Sequence, residues 1–196
     1  NLLKLKINYK MELLFDKIKN PVIETKRLII DDITPDDKKE YYDLYIDGEL
    51  NKYWGYDYHE DLPENKEPSP DYFYDFMTSL KNKKEEYSLA IRLKNGNSSK
   101  NNGNYYYNKM IGEGVFHNFK GNDEVEIGIR LFKNYHGFGF ATEAVKAMIE
   151  YIKKFKPSVI KAKCFFKNTA SKNTLLRSGF NNTGSDDTYL YFEIRL

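Results

Sequence analysis

Between Glu124 and Lys153 the hydrophobic period changes from two to about 3.6 residues across a turn that carries Gly137 and Gly139. Upstream of the turn, Val125, Ile127, Ile129 and Leu131 alternate with Glu124, Glu126, Gly128 and Arg130, which predicts a half-buried strand with two unlike faces. Downstream, Ala141, Val145, Met148, Ile149 and Ile152 share one stripe, with Glu143, Lys146, Glu150 and Lys153 opposite. A helix is therefore expected from about Phe138 to Phe155, closed by Pro157. Glycine admits backbone conformations that a side chain forbids and lets a ligand approach closely. A helix opening directly after such a turn presents unpaired N–H groups and the positive end of its dipole. Strand, glycine turn and helix together describe a phosphate cradle.

Composition narrows the partners. A net charge of +2 with acids and bases interspersed leaves no basic field of the kind that holds nucleic acid or an anionic membrane. The one cysteine, Cys164, has no internal disulfide partner and falls in an apolar strand pattern, as a buried thiol in a reducing cytoplasm would. With that cysteine and three histidines, no metal site of the usual ligand type is expected. No apolar run approaches the roughly 20 residues that span a bilayer, and the start of the chain lacks the small-residue cleavage site of a secretory signal. A cytoplasmic protein, monomer or homodimer, is expected. Its length suits one domain over residues 21–196, preceded by an extension over 1–20 that lies partly outside the core.

A first strand is read over 22–30 and a helix over about 35–45, opened by Thr34-Pro35-Asp36-Asp37. An aromatic loop follows from Asn51 to Tyr58, then a Pro- and Glu-rich connection from Asp61. A second helix runs from Pro70 to about Lys83, with Phe73, Phe76, Met77 and Leu80 at helical spacing. Strands are expected at 86–93 and 105–119, the second with a bulge marked by Gly112 and Gly114, around a hydrophilic loop at 94–104. Lys120 to Asp123 reads as a hairpin turn into the strand before the glycines. The remainder is a strand at 159–167, a short helix opened by Asn168 and stopped by Gly179, and a final strand at 187–196. This order describes an α/β (α+β) fold with a mixed sheet, without the regular βαβ repetition of a dinucleotide-binding fold.

Four pieces carry a family resemblance: Glu126-Ile127-Gly128, the run from Tyr135 to Ala144, Asn168-Thr169-Ala170-Ser171, and Gly179-Phe180. With the Thr25-Lys26-Arg27-Leu28 opening, the chain resembles a GNAT acyltransferase of the branch that holds the ribosomal-protein N-terminal acetyltransferases RimJ and RimL. The resemblance implies a mostly antiparallel twisted sheet of about seven strands with about four helices, splayed between the strands around 124–132 and 159–167. It also implies acetyl-CoA as cofactor. The family's pyrophosphate motif falls on His136, Gly139 and Ala141, with His136 departing from the usual Gln or Arg. Backbone N–H groups from Phe138 to Thr142, reached through Gly137 and including Phe140, would hold the diphosphate. The pantetheine arm would pair with backbone at Ile129, Arg130 and Leu131, much as an added strand does.

By the same resemblance Asn168 helps hold the pantetheine, and Ser171 lies near the sulfur, where it could protonate the leaving thiolate. Both are also ordinary helix-start residues, so capping is the competing reading. Transfer to an amine requires that the amine lose a proton and that the thioester carbonyl be polarised. Glu126 is the candidate base, directly or through a water, with Glu124 its rival on the same face; the N–H near Ile129 would polarise the carbonyl. His117, a lone histidine near a strand end, reads as structural. Tyr53, Trp54, Tyr56 and Tyr58 fall where this branch builds its acceptor pocket, for a peptide N-terminus or a small amine. Asp57, Glu60 or Asp61 would attract the positive charge there. The alternative for those rings is a surface loop packed down by its own aromatics. The alternative for the whole chain is an acyl-CoA-binding module without turnover. A nucleotide-binding reading is disfavoured because no Lys-Ser or Lys-Thr pair follows the glycines.

Overall fold

A computed structural model describes residues 13–54, 57–60, 62, 67–94 and 109–196. In chain order these form α1 (Leu14–Lys17), β1 (Val22–Glu24), β2 (Leu28–Asp32), α2 (Lys38–Ile46), α3 (Gly48–Asn51), α4 (Pro70–Lys83), β3 (Glu86–Leu93), β4 (Met110–Lys120), β5 (Glu124–Leu131), α5 (Phe140–Lys153), β6 (Val159–Phe165), α6 (Thr169–Arg177), β7 (Asn181–Ser185) and β8 (Tyr189–Arg195). The strands make one sheet in the order β1-β2-β3-β4-β5-β6-β8-β7, antiparallel except where β5 meets β6.

Strand alternation sends two sets of side chains to opposite faces. Leu28, Ile30, Leu89, Ile91, Val125 and Ile127 bury against Val145, Met148 and Ile152 of α5. This is the main core, and Leu14, Phe15 and Ile18 join it, so residues 14–18 fold with the domain. On the other face Ala90 and Met110 pack beneath Tyr41, Leu44, Phe73 and Met77 of α2 and α4. Among the described residues these helices lie over the β2–β4 half of the sheet. The same face over β6 and β8 carries Lys161, Lys163, Tyr191 and Glu193 instead, none of them buried.

Several boundaries differ from the sequence reading. The stretch 22–30 is two strands joined by a tight turn, because the Thr25 hydroxyl accepts from the N–H groups of Arg27 and Leu28 and bends the chain there. β7, whose Asn, Thr, Gly and Ser carry no strand signature, is an exposed edge paired with β8. Among the described residues eight strands and six α-helices result, two of the helices only four residues long. Helix α5 opens at Phe140, two residues later than its apolar stripe suggested. The irregularity in β4 facing β3 skips Ile111, next to Gly112. Residues 1–10, and 105–108 of the strand expected at 105–119, lie outside the described residues.

Candidate functional site

The glycine turn keeps the shape its residues demand. Gly137 and Gly139 have φ of 82° and 79°, a region closed to most side chains, and Gly139 is the N-cap of α5. The first intrahelical bond is Glu143 N–H to the Gly139 carbonyl, at 3.1 Å, so the N–H groups of Phe140, Ala141 and Thr142 have no intrahelical partner. His136 Nε2 lies 2.7 Å from the Leu131 carbonyl and donates to it, tying the turn to the end of β5. Phe138 is 62% exposed at the tip.

Glu143, expected on the solvent face of the helix, instead fastens the turn to the first hairpin. Its carboxylate accepts from Thr25 Oγ1 at 2.6 Å, Arg27 N–H at 2.9 Å and Arg27 Nε at 2.6 Å. Arg27 Nη1 also donates to the Phe138 carbonyl at 2.9 Å. The Thr25–Leu28 opening thus supports the glycine turn from a distant part of the chain. Glu143→Ala should cost about 1–3 kcal/mol of stability and weaken acetyl-CoA binding several-fold, as read by urea unfolding and by calorimetry. Unchanged cofactor affinity would refute the supporting role.

Beside the turn the sheet opens. β5 and β6 pair only at Glu124–Val159, Val125–Ile160 and Glu126–Lys161, although both strands continue for four or five residues. Beyond Glu126 the backbone groups of Ile129 and Leu131 therefore face the gap, with the Leu131 carbonyl taken by His136, while those of Arg130 point to β4. The Arg130 side chain also turns away, buried and bonded to Glu113 and Asn51, so of the three residues expected to meet the pantetheine Arg130 offers the gap neither backbone nor side chain. Asn168 caps α6 by accepting from Ser171 N–H at 3.0 Å. Ser171 lies near Cys164, whose thiol is pushed up by burial and partly held back by the serine hydroxyl.

Glu126 stands on the last paired rung, its side chain 13% exposed. Asn118 Nδ2 donates to its Oε2 at 2.8 Å, and His117 Nε2 lies 3.8 Å from its Oε1. Asn118 reaches it because β4 bulges between His117 and Lys120, with Asn118 at φ 50°. Sequence reasoning missed Asn118; an Asn at the fraying end of a strand was the available sign. Glu124 is occupied otherwise, 2.5 Å from Lys161 and 3.3 Å from Lys120, and the Lys161 hydrogen bond holds its carboxyl below the usual range. Glu126 and Glu124 both line an open cavity of about 670 Å³ over β5, β6 and β8.

Two of the loop aromatics reach this region. A Cβ on Gly128 would lie 2.9 Å from the Trp54 ring, so the indole rests on β5 one step along the face from Glu126. Arg130 stacks on the other side of that contact, 4.9 Å from the Trp54 ring centre. Tyr53 meets Phe165 of β6, with centroids 6.2 Å apart, so the pair bridges the two parted strands. Tyr58 packs on Phe73 in the second core, and Asp57 bonds His59 at the surface. Tyr56 and Asp61, with the side chain of Glu60, lie outside what the structure describes. Among the described residues no group of His, Cys, Asp and Glu is placed to hold a metal ion, and no helix is long and apolar enough to cross a membrane.

The family model described as an acetyltransferase (GNAT) domain matches residues 27–181. A curated relative, the uncharacterised N-acetyltransferase YoaA of Bacillus subtilis (strain 168), is 25% identical over 173 residues, covering 87% of this chain and 89% of its own. A GNAT-family acetyltransferase from Bacillus anthracis shares the fold at a TM-score of 0.66 and 21% identity, over 89% of this chain and 98% of that one. RimJ of Mycobacterium smegmatis, solved with CoA-disulfide, does so at 0.65 and 15%, over 86% and 81%.

Proposed function

This chain belongs to the GNAT acetyltransferase family, and from that premise we propose that it transfers the acetyl group of acetyl-CoA to a primary amine by direct attack on the thioester. One observation carries the reading. β5 and β6 part just beyond Glu126, and the parted strands lead to a glycine turn whose helix offers three unpaired N–H groups. The gap suits a pantetheine arm, and the turn suits a diphosphate at a helix N-terminus.

Acetyl-CoA supplies the acetyl group as a thioester. The backbone at Gly137 to Thr142 binds its diphosphate, and Ile129 and Leu131 offer their gap-facing backbone to the pantetheine. Glu126 takes the proton of the amine, directly or through a water, with Asn118 fixing the carboxylate. The N–H near Ile129 polarises the carbonyl. The hydroxyl of Ser171 gives its proton to the departing sulfur, and Asn168 orients the start of α6 around it. Tyr53 and Trp54 form the acceptor wall on both sides of the gap. A small amine and a peptide N-terminus are both within this reading. A cytoplasmic location belongs to it as well, in keeping with a single, buried, free thiol.

Acetyl-CoA at a hundred times its Kd should stabilise the protein by about 2.7 kcal/mol, visible as a rise in Tm. Addition of an accepted amine should then release free thiol. No rise in Tm at millimolar acetyl-CoA would overturn the cofactor assignment. A rise with no thiol release across a broad amine panel would instead make this a binding module.

A further inference from the structure

Around the 670 Å³ cavity two charged side chains, of opposite sign, have no lysine, arginine or carboxylate partner among the described residues. Lys161 and Lys120 both close on Glu124, at 2.5 and 3.3 Å. Arg195 closes on Glu193 at 2.7 Å. Glu126 is left with a neutral amide, Asn118, and with His117. Lys163 is left with the Tyr189 ring, 5.1 Å from its ammonium, and forms no ion pair among the described residues.

These two groups share one locality. Lys161 faces Glu126 on the last rung, and Lys163 is the next residue of β6 on that face, where the strands have begun to part. Both act on the same imidazole: burial pushes His117 below its ordinary value, Glu126 opposes that, and Lys163 adds to it. Held neutral, His117 leaves the Glu126 charge uncancelled.

We infer that the acceptor is a small amine carrying one anionic group, a carboxylate or a phosphate, and that Lys163 selects it by binding that anion while Glu126 receives the amine. The inference rests on the acetyl-transfer reading and narrows its acceptor. Polyamines and aminoglycosides are disfavoured, because a second cation would meet Lys163 beside Lys161 and Lys120. A cavity of this volume is within the usual range for small-molecule sites.

Two matched pairs of amines test it: L-phenylalanine against 2-phenylethylamine, which lacks the carboxylate, and O-phosphoethanolamine against ethanolamine. Spermidine is the polycation control. For at least one pair, kcat/KM should favour the anionic member by about tenfold or more, the scale of one charge-assisted contact. Which pair shows the gap tells carboxylate from phosphate. Lys163→Met should bring that ratio to about one, and Lys163→Arg should keep most of it. A wild-type enzyme that prefers spermidine, or that favours the neutral member of both pairs or treats the members alike, overturns the inference and leaves acetyl transfer standing. A gap that survives Lys163→Met also overturns it. No thiol release with any amine overturns both.

Discussion

Glu126→Gln should lower kcat about a hundredfold or more while leaving acetyl-CoA affinity within about twofold, the pattern of a lost general base. Glutamine keeps the shape and can still accept the Asn118 hydrogen bond, so the fold and the cavity wall should survive. Lost instead is the capacity to take a proton from the amine at the point where β5 and β6 part. Glu124→Gln is the matched control. That carboxylate lies on the same face of the same strand but is held by Lys161 and Lys120, so its removal should leave kcat within about threefold. Asn118→Ala should fall between the two, because the bulge that aims its amide fixes the carboxylate without touching the proton. Steady-state thiol release with saturating acetyl-CoA gives all three values. If Glu126→Gln and Glu124→Gln prove equally mild, the amine loses its proton to solvent and Glu126 is only a wall of the site.

What the chain showed in advance was local. Alternation from Val125 to Leu131, the period change at the glycines and the Asn168 start of α6 are each written in neighbouring residues, and each element is present, with α5 shorter by two residues at each end than expected. What stayed hidden depends on partners far away along the chain. Glu143 reads as one more charge on a polar stripe until Thr25 and Arg27 are brought against it. The facing of β4 and β5 was equally hidden. Continuing the rung Lys120–Glu124 without a slip would set Arg130 opposite Gly114, whereas the bulge at Asn118 sets it opposite Glu113. One inserted residue thus decides which side chains share the buried half of the site. Trp54 is a middle case: aromatic residues in a loop announce packing, but only the approach to Gly128 says which strand receives the ring.

That facing has the largest consequence for stability. Glu113 is 1% exposed and Arg130 5%, and Nε of the arginine donates to Glu113 Oε2 at 2.8 Å. Burial works against the Arg130 charge, but Glu113 and the surrounding groups raise its pKa, so it stays a cation inside the protein. Removing the carboxylate in Glu113→Ala strands that cation, and a loss of about 3–5 kcal/mol in urea unfolding is expected. Arg130 Nη1 also holds Asn51 Oδ1 at 2.6 Å, and Asn51 Nδ2 in turn donates to the carbonyls of Leu44 and Tyr45 at the end of α2. A stranded Arg130 should therefore loosen the segment that carries Tyr53 and Trp54, raising the KM for the amine more than that for acetyl-CoA. The double replacement Glu113→Leu with Arg130→Met removes both charges and should recover most of the lost stability, because a buried ion pair is worth little more than well-packed apolar groups of similar size. It would not recover the amine KM, since the Asn51 contact goes with the guanidinium. If Glu113→Ala costs less than about 1 kcal/mol, the pair is not what keeps Arg130 charged in the core.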